Sequence, residues 1–159
     1  MPPIKPNLDG IVFALDDHSG MLDHYYDRKT GEVILVQTDS QDEDEDLLRR
    51  IEAQPMRYLR IEPLFANEGF AVMEAFVETL PEGRDRQTLE YALRTRKPFR
   101  SFKSALRGWQ VLSAAWFEFH DQIYKAKAAH WLAHSIPPEP KKPNKSSQRL
   151  TAENTKLSK

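Results

Sequence analysis

After Asn7, apolar side chains return at Leu8, Ile11, Val12 and Leu15. This i, i+3, i+4, i+7 spacing gives a helix one buried face. Asn7 is the expected N-cap. The helix should end near Asp16-Asp17, with Gly20 marking the break. The period then changes. In LDHYYDRKTGEVILV two β-prone runs flank Asp27–Gly31, which predicts a hairpin with strands near residues 21–27 and 32–37.

Leu47, Leu48 and Ile51 predict a helix over LLRRIEA. Arg57–Ile61 alternates as a third short strand would, and Pro63 closes it. A helix is expected over residues 67–80, with Phe70, Met73, Val77 and Leu80 inward, Phe76 alongside, and Pro81–Gly83 as its stop. Another, over residues 86–95, turns Leu89 and Leu93 inward. Pro98 suits the first turn of the next, where Phe99, Phe102 and Leu106 line one face before Gly108. The last helix, residues 111–134, places Leu112, Trp116, Phe119, Ile123 and His130 on one face, with Tyr124 and Trp131 at its edge. The class is therefore α+β and helix-dominated: an N-terminal helix, a β-hairpin with a third short strand, and four to five further helices.

The 159 residues favour one domain, and composition sets its extent. From Pro137 the chain is rich in Pro, Lys and Ser and has almost nothing to bury, so residues 137–159 are expected to form a disordered basic tail behind a globular unit of residues 1–136. In that tail six cations stand against two acids, a net charge of +4 within a chain of −1. The absence of cysteine excludes disulfides and thiolate chemistry. The N-terminus lacks the apolar core of a signal peptide. No apolar run approaches the length of a membrane span, so a soluble cytoplasmic protein is expected.

Charge sharpens the picture in one place. Between Arg84 and Arg107 eight cations face only Asp85 and Glu90, a net +6. On a helix, Phe99, Phe102 and Leu106 point one way, while Arg100, Lys103 and Arg107 form a stripe at i, i+3 and i+7. The rings are thus assigned to the core and the cations to the surface. The acidic run from Asp39 to Asp46 precedes its helix at the positive end of the macrodipole. It lacks the spaced ligands and glycine of a calcium loop. Asp39 to Glu52 sums to −5, which would complement the basic segment within one molecule or between two.

A second constellation is Asp16, Asp17, His18, Asp23 and His24. Carboxylates and imidazoles this close in sequence suit divalent metal binding or acid–base work. A polar turn accounts for them equally. His120 and Lys127 fall near Trp116 and Trp131 on the last helix, where a lysine can bury its stem and keep its ammonium wet. The six glycines are scattered singly, and the chain has neither a phosphate-cradling loop nor a nucleophile elbow.

Five strings in order, YYDRKTGEV, MRYLRIEPL, MEAFVETLP, KPFRSFKSAL and WFEFHDQIYKAKAAHWL, resemble a bacterial family of small proteins, uncharacterised protein family 0158. The resemblance spans Leu8 to Leu132 and implies a small bacterial cytoplasmic protein, with no activity, cofactor or catalytic residue to carry over. Arg57, Arg100 and Lys103 lie within its strings and are harder to explain by packing than the rings are. The resulting expectation is a non-catalytic binding or regulatory module. Arg57, Arg94, Arg96, Arg100, Lys103 and Arg107 would hold an acidic protein surface, a second copy of the chain, or nucleic acid, with no cofactor. The alternatives are a small metal-assisted or acid–base enzyme built on the Asp16–His24 cluster, and a homodimeric structural protein.

Overall fold

The computed structural model describes residues 3–39 and 45–135. The tail at 137–159 and the central part of the acidic run, residues 40–44, lie outside the described residues.

Among the described residues nine elements follow in the order helix, two strands, helix, strand, four helices. Helix α1 (Leu8–Asp16) opens with Asn7, whose Oδ1 accepts from the Gly10 N–H at 3.0 Å. This satisfies one of the first-turn donors that a helix cannot pair internally. Strands β1 (Leu22–Asp27) and β2 (Val33–Gln37) pair antiparallel, with His24 opposite Leu35 and Tyr26 opposite Val33. Gly31 lies at φ +79° in the connection. A Cβ there would stand 2.7 Å from the Lys5 carbonyl oxygen, so the turn needs glycine on both counts.

Helix α2 (Glu45–Ala53) leads to β3 (Tyr58–Ile61), which adds antiparallel to the other side of β1. The sheet order is β2-β1-β3. Helices α3 (Ala66–Thr79), α4 (Arg84–Leu93) and α5 (Pro98–Leu106) are short, and α6 (Gln110–Ser135) is long. The expected third strand and helix-dominated α+β class are both present.

One core joins these layers. Ile11, Ala14 and Leu15 of α1 meet Tyr26 and Ile61 of the sheet, Phe76 of α3, Leu89 of α4, Phe102 and Leu106 of α5, and Trp116 and Tyr124 of α6. Val36 and Ile51 are buried outside this cluster. Phe102 packs edge-on to Trp116, with centroids 4.9 Å apart, and Phe76 packs against both rings. Such tilted pairs suit the quadrupole of an aromatic face.

Three expected positions on these helices differ. His130 is exposed, and Tyr124, expected at an edge, is buried with Trp116 and Ala128. The physical reason is length. Over 26 residues α6 serves two sets of neighbours: Trp116 and Phe119 meet Phe76 and Phe102, while Trp131 meets Tyr26 of the sheet. The buried side of the helix turns along its length, from Trp116 to Tyr124 and Ala128. Phe99 is the other difference. It is 38% exposed where Phe102 is fully buried. No helix among the described residues is long and apolar enough to cross a membrane.

Candidate functional site: an aromatic groove beside a cationic helix

Helix α5 carries the basic stripe. Pro98 sits in its first turn, no acidic residue occupies that turn, and Lys97 precedes it without a side-chain cap. Arg96, Lys97, Arg100, Lys103 and Arg107 are all exposed. Among the described residues none of these five makes an ion pair or a side-chain hydrogen bond.

Some cations elsewhere are engaged, although Lys5, Lys29, Arg50, Arg84 and Lys127 also lack an ion pair among the described residues. Arg86 holds Glu90 at 2.8 Å, Arg60 holds Asp23 at 3.2 Å, and Lys125 holds Asp121 at 3.0 Å. Arg57 reaches Asp27 with Nε and Nη2, each at 3.0 Å. That bidentate bond outweighs burial, which acts in the opposite direction, and holds the Asp27 carboxyl below its ordinary range. Arg57 therefore belongs to the end of the sheet, and no hydrogen bond or ion pair among the described residues ties it to α4 or α5. Arg94 faces a hollow of about 290 Å³ that also holds Glu74, Glu78 and Glu90. Of the six residues singled out from the sequence, the structure places Arg96, Arg100, Lys103 and Arg107 on α5 and its approaches, and sets Arg57 and Arg94 in other surroundings.

Lys103 also borders a groove of about 510 Å³. Helix α6 presents Phe117, His120 and Tyr124 to it, at i, i+3 and i+7. The end of α1 contributes Asp16, the turn after it His18 and Ser19, and α5 Phe99 and Phe102. Phe117 is 65% exposed. His120 stacks on Tyr124 with centroids 3.9 Å apart and places Nε2 3.5 Å from an Asp16 carboxylate oxygen. Burial, and then the negative charge of Asp16, pushes the Tyr124 phenol up to about 12. Gly69 of α3 gives the Phe99 ring its place: a Cβ there would stand 3.3 Å from Phe99 Cε1.

The five-residue acid–imidazole cluster does not converge. Asp17 Oδ2 accepts from His24 Nε2 at 2.8 Å, in a pair almost closed to solvent. Asp23 turns to Arg60, as alternation along β1 requires. Asp16 turns to His120, and His18 is exposed at the groove. No group of three or more His, Asp or Glu among the described residues is arranged to hold a metal ion. His120 and Lys127 also part company. Lys127 lines a second groove of about 510 Å³, with Leu15, Ile123, His130 and Trp131.

A model of the Uncharacterised protein family (UPF0158) matches residues 4–138. The chain belongs to this family. A UPF0158 protein of Pseudomonas aeruginosa is 33% identical over 132 residues, covering 83% of this chain and 84% of the relative. No solved structure matches the chain. The family match takes in both α5 and the groove.

What sequence reasoning missed is the meeting of stripe and rings. Phe99 and Lys103 stand four residues apart and therefore share a side of α5. That spacing was the available signal. The alignment of Phe117 with His120 and Tyr124 was also legible as a helical repeat, but the exposure of Phe117 and the contact with Asp16 were not.

Proposed function

We propose that this protein is a non-catalytic binding module that holds an anionic macromolecular partner on the cationic surface of α5. Arg96, Lys97, Arg100, Lys103 and Arg107 are its contact residues. The observation that carries the reading is that five exposed cations without ion-pair partners among the described residues are gathered on one nine-residue helix and its two ends, while Arg57, Arg60, Arg86 and Lys125 are paired. Like charges held side by side repel each other, and they focus a positive potential that an anionic partner relieves. The N-terminus of α5 adds to that potential, since no acid sits in its first turn.

Retention on immobilised heparin across a salt series tests the reading. The wild-type protein should be retained at low salt and released as salt rises. The Arg100→Glu, Lys103→Glu double variant should flow through, with an unchanged melting temperature because both side chains are exposed. Flow-through of the wild type at low salt would contradict the reading, as would unchanged retention of the variant.

A further inference from the structure

The cationic stripe does not explain the groove beside it. A surface built only to attract anions has no use for Phe117 at 65% exposure and Phe99 at 38%, both lining one cleft with Lys103. Two open rings cost free energy in water, and aromatic side chains exposed beside cations are the elements of a stacking platform. The cleft, at about 510 Å³, falls within the usual range for ligand clefts.

We infer that this groove seats a base of a single-stranded nucleic acid whose phosphates lie along Arg100, Lys103 and Arg107. The inference rests on the cationic-surface reading and names its partner. Three features of the site favour a single strand over other polyanions. An acidic peptide supplies charge but no flat π-face for Phe117 and Phe99. A duplex supplies phosphates but keeps its bases stacked inside. Arg100, Lys103 and Arg107 span about 10 Å along the axis of α5, enough for successive phosphates rather than one isolated anion.

Asp16 fits the same occupant. A phosphate would avoid a carboxylate half-open to solvent at the groove. An exocyclic amino group on a base edge donates to one. Lys103 lines the groove that Phe99 enters, so one residue can hold a phosphate while the neighbouring base enters the cleft.

The test measures fluorescence anisotropy of the full chain with three probes: a short labelled oligodeoxycytidylate, polyphosphate of matched charge, and polyglutamate. The wild type should bind the oligonucleotide about tenfold more tightly than either of the others, the gain expected from one base–aromatic stack. Phe117→Ala should remove that margin and leave polyphosphate binding unchanged, while Phe117→Trp should restore it. Phe117 is mostly exposed, so the melting curve of the alanine variant serves as the folding control. Arg100→Glu with Lys103→Glu should abolish binding of all three probes. Equal affinity for oligonucleotide and polyphosphate, unaffected by Phe117→Ala, would overturn the base site and leave the cationic surface standing. Polyglutamate binding as tightly as the oligonucleotide and equally weakened by Phe117→Ala would overturn it in favour of an acidic protein. Binding of none of the three probes would overturn both readings.

Discussion

Asp17 accepts from His24 Nε2 at 2.8 Å and from the Ser19 backbone N–H at 3.0 Å. The bond from His24 first, and then those from Ser19, hold its pKa at about 2, below the ordinary 3.8. A depressed carboxyl stabilises the fold fully above the ordinary value and loses that contribution as pH falls toward the folded one. Stability should therefore drop between about pH 4 and pH 2. The share due to Asp17 is at most about 2 kcal/mol after solvent screening. In urea titrations across this range, Asp17→Asn should lose less stability on acidification than the wild type. Asp27 is the second residue whose environment sets a number. It is 4% exposed and accepts from Arg57 twice and from the Lys29 N–H. Asp27→Ala should cost about 2–3 kcal/mol in urea unfolding, because it strips charge-assisted bonds from one end of the sheet. Arg57→Met should destabilise in the same direction while leaving heparin retention intact, the opposite of what a partner contact would do.

Helix α5 separates packing from surface within nine residues. Phe102 is fully buried against Phe76 and Trp116. Phe102→Ala should cost about 3–5 kcal/mol, read as a lowered urea midpoint. Arg100→Glu, two positions earlier, should stay within about 0.5 kcal/mol of the wild type. The hairpin offers a matching contrast in backbone terms. Gly31→Ala should destabilise by at least about 1 kcal/mol, since its φ is positive and its missing Cβ would meet the Lys5 carbonyl. Elements of this kind were legible in the sequence, because each carries a local signal: Asn7 caps α1, Pro98 opens α5, and alternation marks β3. The facing of α6 was not. His130 and Tyr124 exchange their expected places because a long helix changes neighbours along its length, which no periodicity records.

Across the whole molecule, charge and rings meet where distant segments do. Lys103, Phe117 and Asp16 come from α5, α6 and the end of α1, and only tertiary packing brings them to one groove. The stripe itself was legible, since Arg100, Lys103 and Arg107 share a helical side by spacing alone. The groove was hidden because Phe99, read as a core residue beside Phe102, lies at the border of the apolar face. The separation of Asp16, Asp17 and Asp23 onto three different partners was hidden for the same reason. On the reading proposed above, an anionic partner sits on the face built by α5 and the adjoining groove. The most direct measurement is amide and side-chain chemical-shift mapping during titration with the oligodeoxycytidylate. Shifts should concentrate from Arg96 to Arg107 and around Phe117 and His120, with the sheet and the Lys127 groove unmoved. A footprint on the sheet or the second groove, or no localised shifts at all, would contradict it.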